Sequence, residues 1–122
     1  MIVLAVGINN ASPTEAKHIQ SHYQETVISL SDAAAVLVAT ITPVRIRAGS
    51  AGYDPMLVQD LNAVIKATPS AAGMIDLNSA LSGANWTTDG VHFGLDGYAI
   101  WTKTVVDGIH GALGCSDWRP LP

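Results

Sequence analysis

Asp89 and His92 stand three positions apart in the segment Asp89-Gly90-Val91-His92, so both side chains can reach one site from a single turn. A carboxylate at that spacing can hold an imidazole in the tautomer whose free ring nitrogen takes a proton from a serine hydroxyl. Near the other end of the chain an apolar run leads into Gly7-Ile8-Asn9-Asn10. An asparagine amide just past a strand can donate to an oxygen that gains negative charge during acyl transfer. A general base, its orienting acid and an oxyanion donor are therefore all available. A nucleophile is not. Ser12 is accounted for as a helix cap, Ser50 lies in a loop, and Ser79 and Ser82 precede Asp89. None follows the strand-to-helix elbow that exposes a reactive serine.

Other residue types that could do chemistry have simpler readings. His18 and His22 are four apart on a helix, a spacing able to share a metal, but no third ligand is evident and a solvated helix face is expected. No metal site and no cofactor follow from this chain. His110 suits the negative end of the last helix, and Arg45 and Arg47 read as a wet loop rather than an anion site. Among Trp86, Trp101 and Trp118, packing is expected for Trp101, whereas Trp86, close to the Asp-His turn, is the best substrate-contact candidate. Asn10 and Phe93, adjoining Asn9 and His92, are further candidates for that role. Cys115 is the only cysteine, which excludes an intramolecular disulfide and a thiolate metal cluster.

These residues must be positioned by a scaffold, and the apolar patterning supplies one. Ile2 to Val6 is a continuous apolar run, as in a strand buried on both faces of a parallel sheet. Ser12 with Glu15 forms a capping box, and Pro13 opens a helix expected to reach about Leu30, with Ala16, Ile19, Tyr23, Val27 and Leu30 as its apolar stripe. Ala35 to Ile41 reads as a second buried strand, and residues 44 to 54 as a loop. Asp54-Pro55 starts a helix running to about Ala67, with Leu57, Leu61, Val64 and Ile65 inward. Gly73 to Leu77 is a short third strand, residues 78 to 92 are mostly loop with one turn at most near Ser79-Leu81, and Gly94 to Leu113 is the last helix, carrying Tyr98, Trp101, Val105 and Ile109 on one side. Alternation of this kind predicts an α/β fold with a parallel sheet. In such sheets ligands bind beyond the carboxyl ends of the strands, which is where both Asn9 and the Asp89–His92 turn are expected.

The 122 residues suit one domain with one core, and 48% apolar residues indicate a globular chain. Only 13% are charged, which is sparse for a monomer's surface and hints at a partner surface. A formal charge of -4 argues against nucleic acid or an anionic membrane as partner. The apolar start is too short for a signal peptide and no segment is long enough to span a bilayer, so a soluble chain is expected.

The stretch Asp89-Gly90-Val91-His92-Phe93-Gly94-Leu95-Asp96-Gly97-Tyr98 resembles the last conserved block of the SGNH (GDSL-type) hydrolases, typically Asp-Gly-x-His-Pro followed shortly by Gly-Tyr. Val3 to Asn10 resembles the family's apolar strand ending in Gly-x-Asn-Asp, Leu37 to Pro43 the next strand, and Met74 to Leu81 the strand before the catalytic loop. The likeness covers the chain up to its tail and looks closest to the carbohydrate-esterase branch.

The resemblance implies a three-layer sandwich with a short parallel sheet, a flavodoxin-like SGNH fold lacking its first two strands. Residues 1–122 would be a single domain equivalent to the family's C-terminal part. It implies Asp89 as triad acid, His92 as triad base and Asn9 as the oxyanion-hole amide, acting on acyl or acetyl esters, including those on carbohydrate. Two features depart from the family: Asn10 stands where Asp is usual, and Phe93 where Pro is usual. The Gly-Asp-Ser block that carries the nucleophile, and the glycine block that adds a backbone donor, lie upstream of the likeness. The strand Ile2 to Val6, internal in the family, is then expected to lose a neighbour and to need cover. A homodimer or a complementing N-terminal half would provide it. The alternative is a non-catalytic relic domain that acts as a dimeric scaffold or binding module. Family members are often secreted, but this chain leaves its location open.

Overall fold

The computed structural model describes residues 1–8, 16–45, 53–83 and 85–115. In these, three parallel strands alternate with helices: β1 (Ile2–Leu4), α1 (Ala16–Ser31), β2 (Val36–Ala39), α2 (Pro55–Ala67), β3 (Met74–Ile75), α3 (Leu77–Ser82) and α4 (Leu95–Leu113). The sheet order is β1-β2-β3, with Ile2 opposite Val36, Leu4 opposite Val38 and Val38 opposite Met74. The mixed α/β class with an open parallel sheet follows the expected alternation of patterns. Among the described residues, no helix is long and apolar enough to cross a membrane.

β2 is the centre because its side chains are apolar on both faces, and all four of its residues are buried. Val36 and Val38 join a cluster with Tyr23 and Val27 of α1 and Leu61 and Ile65 of α2. Leu37 and Ala39 point the other way, into a cluster with Ile75, Leu77 and Val105. This is the period-2 alternation of a strand, with each face met by helices. Each fully buried Val, Leu or Ile side chain contributes about 1.5–3 kcal/mol. β1 differs: its three residues are only partly buried, with Val3 packed on the second cluster and Leu4 on the first.

Helix ends follow local chemistry. Asp54 caps α2 by accepting from the Met56 amide at 2.8 Å, with Pro55 at the first helical position. α3 lengthens the single turn expected near Ser79-Leu81 into a helix. Asp76, expected within a strand, instead accepts from the Ser79 amide at 3.0 Å and starts a helix. The cap shortens β3 at its carboxyl end. The predicted inner stripe of α1 forms as expected, but in α4 Tyr98 is 59% exposed. The capping box of Ser12, Pro13 and Glu15 lies outside the described residues.

Candidate active site

Asp89 and His92 do meet. His92 Nδ1 lies 2.6 Å from Asp89 Oδ2. A carboxylate can only accept, so Nδ1 carries the hydrogen and Nε2 is left as the proton acceptor. The other carboxylate oxygen, Oδ1, accepts from the backbone N–H of Val91 at 2.9 Å and of His92 at 2.8 Å. One aspartate therefore fixes both the turn and the ring. His92 beside it, together with those two amides, holds the Asp89 carboxyl well below the usual carboxylate range. Both groups face water, with side chains 80% (His92) and 52% (Asp89) exposed, so the pair is built by geometry rather than by burial.

What holds the turn is a set of backbone and hydroxyl contacts. Thr87, 4% exposed, donates through Oγ1 to the His92 carbonyl at 2.8 Å and accepts from the Gly90 amide at 2.8 Å. Thr87 and Phe93 form an antiparallel bridge across the loop, and the Gly94 amide donates to the Trp86 carbonyl at 2.8 Å. The Arg45 amide donates to the Gly90 carbonyl at 2.9 Å, tying the loop to the segment after β2. Gly90 has φ +100°, and a Cβ there would overlap the Arg45 carbonyl oxygen, so both conformation and space require glycine. At Gly97 a Cβ would overlap the Trp86 carbonyl oxygen, which is why α4 can start hard against the loop.

Aromatic packing closes the assembly from below. Trp86, Phe93 and Tyr98 form an edge-to-face series, with centroids 5.7 Å and 5.3 Å apart. The Arg45 guanidinium lies 5.8 Å from the Trp86 ring, a cation–π contact worth about 0.5–2 kcal/mol. Two hollows meet at this point. One, of about 230 Å³, includes His92, Tyr53 and Val91 in its lining. The other, of about 330 Å³, runs toward β1 past Leu77 and Trp101, and both hollows share Ile8, Thr42, Phe93 and Tyr98.

Beside the site, the carboxyl ends of β2 and β3 are locked by side chains. Asn62, 5% exposed, accepts from the Ile41 amide at 2.6 Å and donates to its carbonyl at 2.9 Å. Thr40 donates to Asp76 at 3.0 Å, and Lys66 pairs with the other Asp76 oxygen at 2.9 Å. Partial burial pushes the Asp76 carboxyl up, but hydrogen bonds from Lys66, Ser79 and Thr40 outweigh it and hold it down at about 2.

The residues expected from sequence thus divide. Asp89, His92 and Phe93 come together. Asn9 and Asn10 lie outside the described residues, as do Ser12, Arg47, Ser50 and Trp118. Trp86 is corrected: at 0% exposure it offers no surface to a substrate and instead supports the loop. Arg45 is corrected too, from wet loop to strap across Trp86 and Gly90. His18 and His22 stack with centroids 6.4 Å apart, and no metal-ligand group of three occurs among the described residues. Cys115 is exposed. Sequence reasoning missed Thr87, whose signal was a hydroxyl two residues before an Asp-Gly turn, and Asn62, which carries no local signal. No family model, curated protein or solved structure matches the chain.

Proposed function

We propose that this chain is the acid–base half of an SGNH-type serine ester hydrolase for acyl or acetyl esters. Asp89 orients His92, whose Nε2 takes the proton from a serine supplied outside these residues. The observation that carries the reading is the 2.6 Å contact between His92 Nδ1 and Asp89 Oδ2, in a turn held by Thr87, Asp89 and the Arg45 amide. Asn9 would donate to the oxyanion that forms as the serine oxygen adds to the ester carbonyl, and His92 would return its proton to the leaving alcohol. The hollows beside His92 would take the ester, with Phe93 in their shared wall. The fold proposed with this function is a three-layer flavodoxin-like sandwich. β2's alternation between two helix-covered clusters and the parallel order β1-β2-β3 support it. A second reading, a non-catalytic scaffold or binding module, draws support from the partly covered apolar strand β1.

A fluorophosphonate probe tests the hydrolase reading when applied to the chain together with any polypeptide that co-purifies with it. The expected result is labelling that His92→Ala abolishes and Asp89→Asn sharply reduces, because members of a catalytic triad act as a unit. Absence of labelling, or labelling indifferent to His92→Ala, overturns the reading.

A further inference from the structure

We infer that His92 is itself a nucleophile: without any serine, this chain transfers the acyl group of an aryl ester to water through His92 Nε2. The site is the one assigned to ester hydrolysis, but the inference stands on its geometry alone and needs no second polypeptide.

The ring is presented in the form that such chemistry requires. Nδ1 donates to Asp89 Oδ2 at 2.6 Å, so the lone pair lies on Nε2, and no described residue bonds to that atom. The side chain is 80% exposed, which lets an ester approach. Its root is held. Asp89 Oδ1 accepts from the Val91 and His92 amides, and Thr87 Oγ1 donates to the His92 carbonyl. A nucleophile fixed beside its substrate reacts faster than the same group free in solution, because its orientation is already set. The hollow of about 230 Å³ at the ring offers the substrate a place: Tyr53, Phe93 and Tyr98 line it together with His92, and aromatic walls suit a flat aryl group. His22 is the internal contrast. Its Nδ1 lies 3.2 Å from Glu25 Oε2, a longer contact between two side chains on an open helix face, 64% and 75% exposed.

The substrate class follows from the leaving groups. The Nε2 lone pair adds to the ester carbonyl carbon, and the adduct expels whichever group is the weaker base. Imidazole is a weaker base than an alkoxide, so addition to an alkyl ester reverses, whereas the oxide of an acidic phenol departs. The C–O bond breaks with its electron pair on the aryl oxide, and an N–C bond remains. Acylation makes the ring a cation, and the Asp89 carboxylate at Nδ1–H offsets that charge. Water then adds to the acyl carbon and the C–N bond breaks, its electron pair returning to Nε2. The products are the carboxylic acid, one proton for solvent and the ring with Nδ1–H intact.

The test is hydrolysis of p-nitrophenyl acetate by the full chain carrying Cys115→Ser, because the exposed thiol would attack the same ester. Nitrophenolate release is expected to be at least about tenfold faster than with an equal concentration of N-acetylhistidine. His92→Ala is expected to remove that excess and His22→Ala to leave it. Asp89→Asn, which no longer fixes the hydrogen on Nδ1, should lower it about tenfold. Acid quenching followed by intact-protein mass measurement should find one acetyl group, missing in His92→Ala, and ethyl acetate should not be hydrolysed. A rate no higher than that of N-acetylhistidine overturns the proposal, as does an excess lost in His22→Ala instead. So does a large solvent deuterium isotope effect with no acetylated protein, which would make His92 a general base for water. The hydrolase reading fails separately: no fluorophosphonate labelling beside a co-purifying polypeptide would sink that reading and leave this one standing.

Discussion

The loop from Trp86 to Gly97 and the strand β1 are both short, yet they solve opposite problems. The loop is exposed where its chemistry lies and sealed underneath. Thr87, the Trp86 and Gly90 carbonyls and the Arg45 amide are all engaged, and Asp89 satisfies two amides of the turn. β1 has matching apolar side chains on both faces but, among the described residues, a strand partner on one edge only. A polar loop can close largely on itself, because most of its donors and acceptors lie within it and the Arg45 amide completes the set. A strand cannot, because its outward backbone groups find partners only in water or on another strand. The Asp89–His92 geometry is therefore expected to stand on the loop's own contacts and the Arg45 strap, whereas β1 depends more on its surroundings.

Substitutions can break this contrast, and the largest effects belong to the loop. Gly90→Ala combines an overlap with the Arg45 carbonyl and a positive φ. A loss of about 3 kcal/mol is expected in urea unfolding. Gly97→Ala, where only the overlap acts, should cost about 2 kcal/mol. Thr87→Val leaves the Gly90 amide without its acceptor and should cost about 1–3 kcal/mol, while releasing the His92 carbonyl. If Thr87→Val proves neutral, the loop is held by packing rather than by its polar contacts, and the contrast with β1 fails.

Acid sharpens the same comparison. The carboxyls of Asp76 and Asp89 are both depressed in the folded protein. Each therefore contributes stability that is present above the unfolded value, 3.8 for Asp76, and lost as pH falls toward the folded value, about 2 for Asp76. Thermal unfolding midpoints should fall through that window, and Asp76→Asn should flatten the fall. An unchanged slope in Asp76→Asn would mean that its ties to Lys66, Ser79 and Thr40 do not persist in solution. The smallest effect is expected just past β1, at Val6. Val6→Lys removes no polar contact and adds charge to an exposed position, so stability should stay within about 0.5 kcal/mol of the parent. A loss of several kcal/mol there would show that Val6 is buried in solution, against its half-exposed position.

Much of the scaffold was legible in the chain. The strands at Ile2 and Ala35, the helix after Asp54-Pro55 and the last helix announce themselves through apolar period and caps, both of which are local properties. Asp76 shows where that legibility ends. It sits between apolar residues and reads as strand, but its carboxylate meets the Ser79 amide and so begins α3. Trp86 shows a second limit. A lone tryptophan in a polar stretch reads as a surface contact, and only the approach of Arg45, Phe93 and α4 makes it core.

The sequence by itself determined that Asp89 and His92 could pair, because an aspartate and a histidine three apart meet within one turn whatever surrounds them. It also determined that the sheet would be parallel. Tertiary structure alone decided that Arg45 straps the loop, that Asn62 pins Ile41 from 21 residues away, and that β1 stands at an edge of the described sheet. Those outcomes depend on which segments pack together, and no spacing along the chain encodes a distance between helices.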